Sequence, residues 1–569
     1  MRLKDCSSGL VESAGHQTGI SLIILFDVTF ASNKTQLALP TLIITSAAFV
    51  EGELEAELGK LPPAFLPIGG KRLFERQYME FTDRASRVIL SLPETFSVDD
   101  LDNSLLSKLG IEVVFLPENL SLGSSIVFVI NVTALCGQPI MLLHGDTLLT
   151  GINEITKDSL SVSLEPQLNY QWGRAKLNGC HTTLLLDDEL SAPDAVLTGF
   201  FVFSDSNRLI KCITRENGSF LRGLQTYGSE NDFHAVYSEN WFDFGHVGTY
   251  YRSRRSMATQ RAFNSLQISP RVVTKASVDQ TKILAEAKWF EEIPNDVRLH
   301  TPTYLGRQTV DGTHSYSLEY LYLPTLSDLF VFGRKPLIWW RKLFDAVDEV
   351  LTLMASHKAP GEILNKNVKD LYLEKTIARL EMYSKSTGFD INKECRIPGY
   401  KLPSVSKMVE ISASAITKFN TADSTLIHGD FCFSNLFFDG RSSLIRMIDP
   451  RGLDAEGNFS LWGDPRYDLA KLYHSVIGMY DHIVAGRFEL CTNSPYDLAL
   501  YLPSAELTES IGDEFMNRTF AGSNAESSDS LPISILLFFA MLPLHCDDNK
   551  RQLALLANGL RLFYNLCSK

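Results

Sequence analysis

From Leu39 onward, short apolar runs alternate with helix-length segments, and that alternation restricts the possible folds of the chain more than any other feature. Residues 42–48, 87–92, 111–116 and 139–143 read as strands, with helix-compatible stretches at 73–81 and 125–134 between them. Strands that are apolar on both faces and separated by helices imply a mostly parallel sheet covered on both sides. Further strands are expected at 160–164, 182–186 and 197–203. Residues 1–38, Ser/Gly/Thr-rich at the front with one apolar patch, read as an extension or an added outer strand.

A break is expected after Tyr251, where Arg252, Arg254 and Arg255 open a polar stretch. A strand at 271–275, a helix at 281–290 and a hairpin of 303–308 with 314–321 then start a new unit, with Asp311-Gly312 as the turn signal. Helices dominate afterwards, at 337–354, 372–383, 405–419, 466–479 and 533–563, the last interrupted at Pro543. The Gly/Ser/Asn-rich stretch 520–530 reads as a mobile loop. The expected organisation is an extension at 1–38, an α/β domain at 39–255, a small β-rich lobe at 256–335 and a larger helical lobe at 336–569.

Composition narrows the partners. In 569 residues, 67 Asp and Glu against 53 Lys and Arg give a net charge of -14, and no basic block is present, which argues against nucleic acid and anionic membrane surfaces. Nine cysteines lie far apart without a Cys-x-x-Cys pair, as in a reducing, cytoplasmic protein rather than a disulfide framework. The longest apolar run, 533–544, is too short for a bilayer, which needs about 20 residues. Residues 21–30 are interrupted by Asp27 and follow no clear leader pattern.

The sharpest motif is Leu426-Ile427-His428-Gly429-Asp430-Phe431-Cys432-Phe433-Ser434-Asn435, followed by an apolar strand that ends in Asp449-Pro450-Arg451-Gly452. Transfer of a γ-phosphoryl group needs a carboxylate to orient or deprotonate the acceptor hydroxyl, and oxygen ligands for Mg²⁺ on the phosphates. Asp430 suits the first task, Asn435 and Asp449 the second. The motif resembles the catalytic segment of the aminoglycoside phosphotransferase and choline kinase superfamily, as does Gly463-Asp464-Pro465-Arg466-Tyr467-Asp468-Leu469-Ala470, the segment whose helix start braces the loop. That resemblance implies a bilobal α+β, protein-kinase-like phosphotransferase domain. It makes Asp430 and Asn435 catalytic, with His428 holding the loop rather than transferring protons. It also implies an ATP-phosphate Lys on an early strand, paired with a Glu on the next helix. Lys275 and Glu286 fit, with Lys282 competing for the Lys role. Leu318-Glu319-Tyr320-Leu321 would be the hinge whose backbone holds adenine. Arg451 is the candidate for an anionic acceptor, or else holds the loop. His545 is a candidate for the acceptor pocket, though packing or capping suits it better. Trp339-Trp340 reads as core.

In the first half, Gly59-Lys60-Leu61-Pro62-Pro63 with Pro67-Ile68-Gly69-Gly70-Lys71, then Glu118 with Leu122-Gly123-Ser124-Ser125, His144-Gly145-Asp146 and Trp241-Phe242-Asp243-Phe244-Gly245 follow in order. That order resembles sugar-phosphate and choline-phosphate nucleotidyltransferases. The resemblance implies an α/β nucleotide-binding fold in which Asp146 and Asp243 hold Mg²⁺ while a phosphate attacks the α-phosphorus of CTP or another nucleoside triphosphate. Glu118 and Gly123 would help enclose that nucleotide. Two departures stand out. The family's Gly-rich triphosphate cradle is Ser46-Ala47-Ala48-Phe49-Val50-Glu51-Gly52-Glu53, bulky and acidic. Its Pro-Lys is Pro62-Pro63, leaving Lys60, Lys71 or Arg72 to substitute.

Together the two resemblances suggest a bifunctional transferase of the kind that supplies bacterial capsule or lipopolysaccharide. One half would phosphorylate an alcohol, amino alcohol, hydroxy acid or sugar with Mg-ATP. The other would activate the product with a nucleoside triphosphate. The alternatives are a kinase with a nucleotide- or sugar-binding first half, a catalytically dead scaffold, and a glycosyltransferase-like first half, for which an Asp-x-Asp metal motif would be expected and His144-Gly145-Asp146 is not one.

Overall fold

The computed structural model describes residues 39–152, 155–164, 172–178, 181–185, 195–231, 233–257, 264–360, 368–419, 421–454, 456–526 and 529–568. The expected extension 1–38 lies outside them.

Strand Thr41–Thr45 sits at the middle of the first half, and its side chains alternate between two cores. Leu42 and Ile44 face one, Ile43 the other. The neighbouring strands divide in the same way, Met141 and Leu143 against Ile140 and Leu142, Leu90 against Ile89. Helices Leu122–Val132, Ser206–Arg215 and Phe220–Glu230 close the second core with Ile126, Ile130, Leu209, Ile213 and Leu224. The first core is shared with helices Gly52–Leu58 and Leu73–Phe81 and continues into the second half of the chain, where it includes Trp289 and Trp340.

The sheet is mixed, which corrects the expectation of a mostly parallel one. Its strands run in the order His234–Tyr237, Ser159–Ser163, Ala195–Phe203, Ile140–His144, Thr41–Thr45, Arg87–Pro93, Ile111–Leu116. The last four are parallel neighbours, but Ala195–Phe203 pairs antiparallel with both Ile140–His144 and Ser159–Ser163. All nine residues of that strand are buried, and continuous burial by itself carries no information on strand direction.

Helix Val247–Ser256 runs past the expected break at Tyr251, because Arg254 finds a carboxylate partner in Asp328, 2.6 Å away. Beyond it stands an antiparallel sheet in the order Asn264–Ile268, Val272–Ser277, Thr313–Glu319, Tyr304–Val310, crossed by helix Gln280–Glu292. The hairpin turns where expected, with φ of +50° at Asp311 and +76° at Gly312, the left-handed pair that a two-residue turn requires. Helices Leu337–Ser356, Val368–Thr387, Val405–Ala415, Arg466–Val476, Ser530–Met541 and Asn549–Ser568 make up most of the remainder. Trp340 is buried among them against Phe330 and Phe433, as core. A sheet of Tyr400–Ser404, Glu394–Ile397, Asp497–Tyr501 and Glu489–Ser494 was not expected from the sequence. Within 520–530, Thr519–Phe520 pairs with Ser523–Asn524 in a short hairpin, while 527–528 lie outside the described residues. Among the described residues no helix is long and apolar enough to cross a membrane.

A buried charge cluster joins the two halves. Arg72 donates through Nη2 to Asp102 Oδ2 at 2.9 Å, and through Nη1 to the Phe65 and Phe332 carbonyls at 3.0 and 2.7 Å. Arg487, from far along the chain, also donates to Asp102. Removing the shared carboxylate would leave two buried guanidinium groups with Asp99, 3.8 Å from Arg72, as the remaining nearby carboxylate. Asp102→Ala is therefore expected to destabilise the protein by about 3–5 kcal/mol, read from the urea midpoint. Ser104→Ala, which removes only an exposed hydroxyl bond to Glu489, is expected to change stability by less than about 0.5 kcal/mol.

Candidate active sites

The loop after strand Thr425–Leu426 is fixed from below by helix Arg466–Val476. Asp468 in its first turn accepts the backbone N–H of His428 at 2.7 Å and of Gly429 at 2.8 Å. Burial pushes its carboxyl up to about 7, and the two N–H donors pull the other way. His428 Nε2 meets the Ile448 carbonyl at 2.9 Å, so that nitrogen carries the proton, and Nδ1 accepts the Asp430 N–H at 3.2 Å. Burial lowers the ring to about 4, which keeps it neutral. His428 thus links the loop to the strand that leads into Asp449. Gly429 has φ +77°, and a Cβ there would lie 2.7 Å from the Arg451 side chain. Only glycine satisfies both conditions.

Asp430 projects from this loop into a cavity of about 510 Å³. Asn435, at the end of a 3-10 turn, donates its amide to Asp430 Oδ2 at 3.0 Å. Lys471, one turn beyond Asp468, lies 2.8 Å from Asp430 Oδ1. Burial disfavours the Asp430 carboxylate, but Lys471 outweighs it and holds the group well below the usual Asp range. Sequence reasoning missed Lys471. Its signal was a lysine three residues after the bracing Asp, on the same helix face.

On the opposite wall, Lys275 Nζ lies 2.8 Å from Glu286 Oε2 and 2.9 Å from Asp449 Oδ1. Burial works against the ammonium, yet the two carboxylates hold its pKa above the usual lysine value. Lys282 is half exposed and 3.7 Å from Glu286, so Lys275 is the member of the pair that the fold buries at the site. Asp449 sits at φ +57°, an uncommon conformation for a non-glycine residue, and shares the cavity wall with Asn435. With the Asn435 amide turned to Asp430, its carbonyl oxygen and the Asp449 carboxylate form a donor set suited to Mg²⁺ on a nucleotide. Glu319 and Tyr320 end the sheet. Their N–H groups bond to the carbonyls of Thr303 and Arg271, both at 2.9 Å, so these two N–H groups are already engaged within the sheet. Arg451 lines the cavity with its guanidinium 5.7 Å from the Tyr467 ring. His545 packs near the Tyr480 hydroxyl at 3.4 Å.

In the first half, the ribbon of Thr147–Leu149 with Trp241–Asp243 brings Asp146 and Asp243 together. Gln77 fixes the loop by donating to the carbonyls of His144, Gly145 and Thr147. A Cβ on Gly245 would stand 2.7 Å from Asp146 Oδ2 and 3.3 Å from Asp243 Oδ1, so both carboxylates flank one point. Asp243 Oδ2 is buried without a hydrogen-bond partner among the described residues. Burial, then repulsion from Asp146, push Asp243 up to about 6. A divalent cation would relieve both penalties, and the residues fit one. Among the described residues no group of three or more His, Cys, Asp or Glu gathers, so phosphate oxygens would complete the shell.

The surroundings of that pair differ from the expected cradle. Residues 46–51 fold back on 61–64, with Ala64 N–H on Ser46 Oγ and Val50 N–H on the Leu61 carbonyl. Gly59 has φ +88°, and its Cβ position lies 2.3 Å from the Arg334 carbonyl, so it serves docking to the second half. Arg72 is locked in the interdomain cluster, which removes it as a substitute phosphate ligand. Lys60 lies over the Phe49 ring and 4.0 Å from Glu118, which also bonds Thr95, and Lys71 is exposed. Gly123 abuts the Gly218 carbonyl.

No family model matches this sequence, and no curated protein matches it. Solved structures resemble parts of it. A nucleoside-diphosphate-sugar pyrophosphorylase from Vibrio cholerae RC9 is 13% identical with a TM-score of 0.33, over 38% of this chain and 99% of that one. The inositol-1-phosphate CTP transferase from T. maritima is 15% identical with a TM-score of 0.31, over 38% and 95%. A candidate aminoglycoside phosphotransferase from Ralstonia eutropha JMP134 is 14% identical with a TM-score of 0.27, over 56% and 95%. The neighbours include nucleotidyltransferase-like proteins and an aminoglycoside phosphotransferase-like one, each matching part of the chain at low identity.

The double N–H grip of Asp468 gives a direct test. Asp468→Asn would place an amide donor against one of the two N–H groups and loosen the loop. If the Asp430 cavity turns over ATP, kcat is expected to fall about 10-fold or more while KM for ATP stays within about twofold, as measured by initial rates.

Proposed function

We propose that the Asp430 cavity transfers the γ-phosphoryl group of ATP to a hydroxyl of a small acceptor, and that the Asp146–Asp243 pair then serves nucleotidyl transfer onto the phosphorylated product. The observation that carries the first step is the Lys275 ammonium between Glu286 and Asp449, on the wall of the cavity that also holds Asp430 and Asn435. In this reading Lys275 binds the α and β phosphates, and Glu286 fixes its direction. Asn435 and Asp449 hold Mg²⁺, whose role is to neutralise charge on the transferring phosphates. Asp430 orients the acceptor hydroxyl and takes its proton late. A carboxylate depressed by Lys471 is a weak base, which is adequate because a loose transition state demands positioning more than basicity. The product would be an activated headgroup of the kind used in capsule or lipopolysaccharide assembly, made in the cytoplasm.

A second reading keeps the kinase and makes the first half a binding module. It is favoured by the fate of the substitute cations: Arg72 is locked away and Lys60 faces Glu118, which leaves the exposed Lys71 of the three.

Mg-ATP with a panel of small hydroxyl compounds tests both. Acceptor-dependent ADP formation is expected, lowered at least about 100-fold by Asp430→Asn. Pyrophosphate release from the phosphorylated product on addition of CTP or another nucleoside triphosphate, lost in Asp243→Asn, is the outcome of the bifunctional reading. ADP without pyrophosphate is the outcome of the second. EDTA is expected to stop both steps, and ADP formation that survives Asp430→Asn would overturn the assignment of the cavity.

A further inference from the structure

The acceptor end of the Asp430 cavity is cationic although the chain as a whole is strongly acidic. Helix Val368–Thr387 contributes Lys375 and Arg379, one turn apart on one face. Arg451 enters from the loop after Asp449, and Lys471 from below Asp430. The other wall is apolar, from Ile533, Leu536 and their neighbours on Ser530–Met541. Only part of this charge is answered within the protein. Lys471 pairs with Asp430, Arg379 donates to the Ala540 carbonyl at 3.3 Å, and Arg451 to the Asp454 carbonyl at 3.4 Å. Lys375 has no hydrogen-bond or ion-pair partner among the described residues. Burial, then Arg451, Arg379 and Lys471, press its ammonium down to about 6, with Asp430 alone among the named causes acting to support it. At neutral pH that lysine is largely uncharged, and an anion bound beside it would restore its proton.

We infer that the acceptor carries an anionic group, a carboxylate or a phosphate ester, besides the hydroxyl that is phosphorylated, and that Lys375, Arg379 and Arg451 bind it. The inference rests on the proposed kinase reading for which hydroxyl reacts, while the anion site stands on its own cations. It narrows the acceptors suggested by the sequence. A quaternary amine, ethanolamine or another amino alcohol would add positive charge beside Lys375 and is disfavoured. A hydroxy acid or a sugar bearing a phosphate or carboxylate supplies what the wall lacks. The apolar side then accommodates the carbon frame.

The test compares choline, ethanolamine, glycerol and glucose with glycerate and lactate, and with glycerol 3-phosphate and glucose 6-phosphate. Each is assayed for ADP formation with Mg-ATP and, separately, for binding by isothermal titration. Turnover is expected with members of the anionic sets, and the choice between glycerate-like and phosphate-bearing compounds identifies the anion. Lys375→Met and Arg379→Gln are each expected to raise KM for that acceptor about 10-fold or more while KM for ATP stays within about twofold. Lys375→Arg should recover most of the loss. The paired variants guard against one that fails to fold, which a thermal melt detects. Turnover confined to choline, ethanolamine or the neutral compounds would overturn the inference and leave the kinase reading intact. An equal rise in KM for ATP would reassign the cations to the nucleotide and also overturn it. Anion binding that weakens in both variants, without turnover of any compound, would support the anion site and count against the kinase reading. Neither binding nor turnover would reject both.

Discussion

The buried carboxylate of Asp102, held between Arg72 and Arg487, decides how the two halves of this protein meet. Such a cluster is weak as a source of stability, since desolvating three charges offsets most of their attraction. Its strength is geometric, because Arg487 finds this carboxylate only where the second half meets the Arg72–Asp102 pair of the first. The same Arg72 holds the Phe332 carbonyl at the end of helix Leu326–Phe332, and Arg254 of the first half pairs with Asp328 at its start. That helix is therefore clamped at both ends by the first half. Its Phe330 ring lies 5.4 Å from Phe433, in the turn that carries Asn435. The first half thus helps shape the wall of the second half's cavity through packed rings, whatever chemistry it has of its own.

Within the cavity, rigidity and charge are supplied by different residues. Asp468 and His428 grip the backbone, and Gly429 permits the left-handed bend that brings Arg451 alongside. Trp289 adds a hydrogen bond of 3.1 Å from the Glu286 helix to the Ile427 carbonyl, so the helix that aims Lys275 is tied to the loop that aims Asp430. Charge is set by Lys471 on Asp430, and by Glu286 with Asp449 on Lys275. Groups fixed before substrate arrives cost no reorganisation during the reaction, which is where positioning has its largest effect.

Much of this was legible in the sequence. Helix 73–81 and strand 111–116 coincide with the observed elements, because both have a clear apolar period and sharp ends. Lys275, Glu286 and Asp449 come together on one wall of the cavity, and the resemblance had implied the Lys275–Glu286 pair. What failed to register is long-range or polar. The direction of Ala195–Phe203 is set by its partners rather than by its own apolar run. Arg254 reads as the start of a linker because Asp328 lies far along the chain. Glu394–Ile397 and Tyr400–Ser404 are too polar to stand out as strands. Arg72 looked available for phosphate because neither Asp102 nor Arg487 could be placed beside it. Lys375 and Arg379 look like ordinary surface charges of a helix until Ser530–Met541 is packed against them.

The contrast between a net charge of -14 and a cationic cavity is resolved by distance. At physiological ionic strength the Debye length is about 8 Å, so acidic residues on remote surfaces contribute little at Asp430. Inside the cavity the walls are of low dielectric, and the side chains that matter are those lining it. Arg379, Arg451 and Lys471 there face Asp430 and Asp454, so the local sign is positive before any ligand binds, and an arriving anion would return the proton to Lys375. On the proposed reading, an anionic acceptor would be drawn over the last few ångströms into the same field that would steady the transferring phosphoryl group. The excess acid elsewhere keeps the surface from holding polyanions indiscriminately. Enclosing positive charge rather than spreading it on the surface would favour a small anion over a nucleic acid.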